Sequence, residues 1–141
     1  MTKTNESFDE DLGDLLQEMR VVLIGAQLLS GFLLIYPSDR DKTWVYATAF
    51  ICSLISLILL TAPAIWHRLL RPLTDRVAFK RWSTRAVIAA MFPLSISISL
   101  SSHLALVHDL GDKGALYVAI GIFIFIVSVW GLLPLFLKRH M

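Results

Sequence analysis

Four apolar runs, lying about at residues 20–36, 44–66, 86–107 and 114–137, leave this chain little choice of fold. Each is close to the roughly 20 residues that a helix needs to cross a hydrocarbon core roughly 30 Å thick. In lipid the backbone N–H and C=O groups must be satisfied within the segment, so such runs fold as helices. The apolar residues are not arranged as amphipathic stripes, and only 17% of the 141 residues are charged, against about a quarter in a soluble domain. The sequence predicts an all-α polytopic membrane protein with four transmembrane helices. There is no room for a separate soluble domain.

The first run is the unusual one. Val21–Tyr36 rises about 24 Å as a helix, short of the hydrocarbon thickness. Either the bilayer thins there, or the helix enters through the turn holding Gln17, Glu18 and Arg20. Charge at that depth is expensive and needs partners. Upstream, residues 1–6 read as a tail. Ser7 and Glu10 have the spacing of a capping box, and Phe8, Leu12, Leu15, Leu16 and Met19 recur at helical spacing. This predicts a short acidic amphipathic helix over 7–20 that runs on into the first span. Tyr36-Pro37 ends that span, residues 38–43 read as a tight loop, and Trp44 and Trp66 bracket the second span as interfacial aromatics. Residues 67–84 form a basic cytoplasmic loop, divided by Pro72, whose second half suits a helix lying in the interface. Residues 108–113 read as a short loop.

Four crossings put both termini on one side. That side carries Lys3, Arg20, Arg68, Arg71, Arg76, Lys80, Arg81, Arg85, Lys138 and Arg139, ten cations; the other carries Arg40, Lys42 and Lys113, three. The bias predicts cytoplasmic termini.

Several polar groups stand out against this apolar background. By topology, Glu18 and Arg20 at the start of the first span share a depth with His67 and Arg68 at the end of the second and Arg85 at the start of the third. A carboxylate facing guanidinium and imidazole there makes a polar network or a site for a lipid phosphate or small anion; the plainer reading is snorkelling residues that set depth. Gln27 falls near mid-span, between Gly25 and Gly31, and suits either close helix packing or a pore lining. The third span is serine-rich, with Ser95, Ser99, Ser102 and His103 along one face and Ser97 and Ser101 nearly opposite. Its serines can bond to their own helix carbonyls. His103 is the one titratable side chain expected inside the hydrocarbon. A neutral His bonded to a serine is the simpler reading, a proton-handling one the functional alternative.

Charge is also segregated. Residues 1–20 hold Glu6, Asp9, Glu10, Asp11, Asp14 and Glu18, whereas the 67–85 stretch is basic. The acidic helix is therefore expected either to dock on the basic loop or to stay solvated while Arg71, Arg76, Lys80 and Arg81 meet anionic lipid head groups. The lone Cys52 excludes an intramolecular disulfide. The sequence holds no metal-ligand spacing, phosphate-cradling glycine loop, nucleophile–base pair or nucleic-acid module, so neither a cofactor nor an enzyme activity is expected.

The run Glu18-Met19-Arg20-Val21, then Gly25-Ala26-Gln27, Gly31-Phe32-Leu33, Pro63 and His67-Arg68 resembles a family of small bacterial four-span membrane proteins. That family is classed only as a domain of unknown function, number 6328. The similarity covers about residues 15–138. Met19 stands where the family has Leu, and Ser38 follows Pro37 where relatives tend to an aromatic. The resemblance implies a bacterial inner-membrane location and makes the inner-boundary cluster a family hallmark. An antiporter function attached to some relatives finds no carboxylate here at the membrane midplane. The reading is a non-enzymatic structural or accessory, lipid-interacting membrane protein, with a homo-oligomer as one expectation. The competing reading is a small oligomeric ion- or proton-coupled transporter or channel.

Overall fold

The computed structural model describes residues 2–36, 43–69 and 76–132. Three helices account for them: α1 (Thr2–Ile35), α2 (Thr43–Leu69) and α3 (Arg76–Val127), the last followed by a π-helical turn, Ser128–Leu132. Each contains a stretch long and apolar enough to cross a membrane, at Gln17–Ile35, Trp44–Leu69 and Val77–Gly131.

The element boundaries differ from expectation in four places. Helix α1 begins at Thr2, so the expected tail is helical, and the acidic segment and first span form one unbroken rod. It ends at Ile35, with a last bond from the Tyr36 N–H to the Phe32 carbonyl at 3.0 Å, because a residue before proline is pushed out of the α region. Helix α2 continues through Arg68 to Leu69, and α3 starts at Arg76. The interfacial helix is thus the first turns of α3 rather than a separate element. Most notably, the described residues form three helices, the last of them two helical segments joined across a kink at Gly111. Residues 108–113, expected as a loop, stay helical apart from Gly111, whose φ of 69° and ψ of 173° interrupt α3. That conformation is nearly closed to any residue with a Cβ. The π-helical turn coincides with Ser128, whose hydroxyl donates to the Ile124 carbonyl at 2.7 Å and so competes for the acceptor of a regular turn. Residues 37–42, 70–75 and 133–141 lie outside the described residues, as do the acidic side chains before Gly13.

The interior is built from small residues. One cluster joins Ala26 of α1, Leu60 of α2 and Ala90 and Leu94 of α3. A second joins Leu33, Val45, Ala49 and Leu104, again one helix each way. Between lipid-embedded helices apolar burial provides no drive, so close contact and hydrogen bonds must hold them. The serines supply those bonds. Ser56 Oγ of α2 donates to the Ala90 carbonyl of α3 at 2.7 Å, and Ser97 Oγ of α3 donates back to the Ala49 carbonyl of α2 at 2.8 Å. Ser30 and Ser53 pair across α1 and α2 at 3.1 Å. Tyr36 Oη donates to the Leu104 carbonyl at 2.7 Å, tying the end of α1 to α3.

The tyrosine bond gives a first prediction. Tyr36→Phe keeps the ring and removes the donor, and should lower stability by about 1 kcal/mol. The measure is the midpoint of SDS-induced unfolding in mixed micelles; an unmoved midpoint would show that the bond contributes nothing.

Candidate functional site

At the end of the molecule where α1 enters its apolar stretch, α1 and α2 part slightly and enclose a pocket of about 200 Å³. Met19, Arg20 and Leu23 line it from α1, and Leu60, Thr61, Ala64 and His67 from α2. The local sequence explains this shape. On α1, Met19, Leu23, Ala26 and Ser30 recur at helical spacing and turn inward, which leaves Arg20 at the pocket's edge, exposed. On α2, Leu60, Ala64 and His67 share a face by the same spacing. Pro63, buried one residue from that face, removes an N–H from the helix at this level. The Thr61 hydroxyl is taken up by its own helix, donating toward the Leu57 and Ile58 carbonyls at 2.9 and 3.0 Å. The pocket therefore offers one fixed cation, one imidazole and a mostly apolar wall. Such a cavity accommodates an anionic oxygen group whose remainder is apolar.

Of the five residues expected to cluster at this depth, the structure brings together Arg20 and His67 and leaves the other three apart. Glu18 is exposed on α1, and two residues along a helix turn by about 200°, so it points away from the side that Arg20 flanks. Arg68 is exposed beyond the pocket. Arg85 lies with its guanidinium carbon 5.7 Å from the Trp82 ring centroid, a cation–π distance. The expected carboxylate–guanidinium–imidazole network does not form among the described residues. His67 instead packs on Phe79 at the start of α3, ring centroids 5.8 Å apart. Phe79 is buried, so the imidazole is held from behind while its other side faces the pocket.

The in-membrane polar residues divide three ways. Ser99 is satisfied locally, donating to the Ser95 carbonyl at 2.8 Å; Ser95 and Ser102 do likewise, to Met91 and Ile98. His103 is 7% exposed. Its partner is not a serine, as expected, but Asp112, whose carboxylate oxygen lies 3.5 Å from Nε2; Nδ1 is buried without a partner. Gln27 is exposed on α1, and no hydrogen bond from the described residues reaches it. Of the basic positions expected to meet lipid heads, Arg71 and the Arg76 side chain lie outside the described residues, Lys80 is half-buried and Arg81 exposed.

Sequence reasoning missed Thr61, Asp112 and the second-span serines. A signal existed for the last. Ser53 and Ser56 stand three apart in an otherwise apolar run, which puts both on one helix face.

Fold and site together define an all-helical protein with apolar helices fit to cross a membrane and a small polar-rimmed pocket at one end. The family model described as "Family of unknown function (DUF6328)" matches residues 2–134, so the chain belongs to that family. Neither the curated proteins nor the solved structures provide a match.

Proposed function

We propose that this protein is a non-enzymatic accessory protein of a bacterial inner membrane that holds the head group of an anionic lipid in the Arg20–His67 pocket. The pocket carries the reading. It pairs a guanidinium with an imidazole at the boundary of an apolar stretch, over walls of Leu23, Leu60 and Ala64. Its volume suits a phosphate-sized group rather than a whole lipid, whose acyl chains would lie along the exposed apolar surface of α1. Arg81 and the neighbouring cations of the basic segment would attract the same lipids.

Four crossings with cytoplasmic termini fit best. A straight helix over the 55 residues of Val77–Gly131 would be about 82 Å long, more than twice a hydrocarbon core of roughly 30 Å. The His103–Asp112 distance of 3.5 Å also favours a chain that turns back at Gly111. In a straight helix residues nine apart lie about 13.5 Å apart along the axis and on opposite sides. With Gly111 at the outer surface, the pocket and the ten-cation side are both cytoplasmic.

The competing transport reading draws less support. Gln27 and His103 lie outside the lining of the pocket, and most of the buried serines of α3 donate to backbone carbonyls.

Native mass spectrometry of protein released from mixed anionic–zwitterionic bilayers tests the proposal. Arg20→Gln is expected to reduce retention of an anionic lipid about tenfold or more, while Lys113→Gln, outside the pocket lining and exposed beside Gly111, leaves it within twofold. Equal retention by wild type and Arg20→Gln would remove the pocket from consideration. Displacement by millimolar inorganic phosphate would point to a free anion as the ligand.

A further inference from the structure

We propose that α1 pairs with α1 of a second copy of this chain through a seam of Ile24, Gln27, Gly31 and Leu34, with the two Gln27 amides bonded to each other. Gln27 lies within a residue of the centre of the apolar stretch Gln17–Ile35. It is exposed, and among the described residues it has no hydrogen-bond partner. If α1 crosses the membrane, that places a bare amide in hydrocarbon, where an unpaired donor and acceptor cost several kcal/mol.

Three features name the occupant. The positions 24, 27, 31 and 34 are spaced three, four and three apart, the repeat of a two-helix seam. Ile24 and Leu34 on it are 53% and 67% exposed, so none of the described helices covers it. Gly31 has open space where a Cβ would stand, which lets a second backbone approach where the seam is narrowest. Finally, a glutamine amide carries both a donor and an acceptor. Across a two-fold axis each amide satisfies the other, and the identical residue is the simplest complement. A polar residue at one seam position also fixes register, since any slip leaves both amides unpaired.

Two measurements test this. Single-molecule photobleaching of fluorophore-labelled protein at low density in liposomes should give two-step traces for the wild type. Gln27→Leu should weaken the dimer about tenfold in mole fraction, and Gln27→Asn should retain part of it. In a Cys52→Ser background, Gly31→Cys should cross-link to itself under mild oxidation, whereas Phe32→Cys, about 100° further round the helix, should not. Unaltered helicity of Gln27→Leu separates a lost contact from a lost fold. Single-step wild-type traces, equal cross-linking at residues 31 and 32, or a dimer indifferent to Gln27→Leu would each overturn the proposal. So would capture of the seam by a different membrane protein in place of a second copy.

Discussion

Ala90→Leu is expected to cost about 2–4 kcal/mol. Ala90 is fully buried where α1, α2 and α3 meet, against Ala26, Leu60 and Leu94. A leucine adds three carbons at the closest approach of two helices, and overpacking of this kind costs about 1–3 kcal/mol. The same residue's carbonyl accepts the Ser56 hydroxyl at 2.7 Å. Pushing α2 and α3 apart breaks that bond, adding about 0.6–1.7 kcal/mol for an interhelical hydrogen bond in a membrane protein. The check is SDS titration in mixed micelles, with Ile88→Leu as the comparison. Ile88 is 64% exposed two residues earlier on α3, and its substitution should stay within about 0.5 kcal/mol of wild type. Equal effects at the two positions would show that α3 does not pack as described.

Gly111→Ala is the second large expectation. With φ of 69° and ψ of 173°, the backbone there occupies a region that costs a residue with a Cβ about 1–3 kcal/mol. Space is not the obstacle, since nothing lies within 4 Å of the position a Cβ would take. The cost is conformational, so Gly111→Val should be at least as harmful as Gly111→Ala. At Gly114 the obstacle is the reverse: an added Cβ would stand 2.9 Å from the Leu110 Cβ, so Gly114→Ala also destabilises, through a clash. Gly13 is the contrast. It is helical, exposed and open on its outer side, and Gly13→Ala should stabilise by about 0.5–1 kcal/mol. Thermal unfolding in detergent distinguishes these outcomes, and a neutral Gly111→Ala would mean that α3 is not interrupted there.

The apolar runs made helix type and the presence of stretches fit to cross a membrane legible, because hydrocarbon thickness and backbone satisfaction admit few alternatives; four such stretches were expected and three long helices carry them. Boundaries were harder. Asp109, Asp112 and Lys113 look like a loop, yet only Gly111 between them leaves helical backbone angles. At the pocket, the direction a side chain takes around α1 matters as much as its position along it. Glu18 and Arg20 share a level, and the 200° between them already implied that one pocket could not hold both. The brackets between Ser56 and Ala90 and between Ser97 and Ala49 needed the register of α2 against α3. No spacing within either helix contains that. Gln27 was flagged as polar at mid-span, but only its exposure identifies it as facing outward.

The bonds that tie α1 down also have an order in time. Its Ser30 partner, Ser53, follows 23 residues later, and the Leu104 carbonyl that receives Tyr36 lies 68 residues beyond that tyrosine. At about 5–20 residues per second of synthesis, the first is made roughly 1–5 s after Ser30 and the second roughly 3–14 s after Tyr36. For that interval the first helix, with Arg20 and Gln27 on its surface, is held to α2 alone, through the Ser30–Ser53 bond and the packing of Leu33 on Val45 and Ala49. The Tyr36 bond is the later of the two ties, so a ribosome paused between these two points would leave α1 and α2 packed as a pair with the tyrosine hydroxyl still waiting for its acceptor on α3.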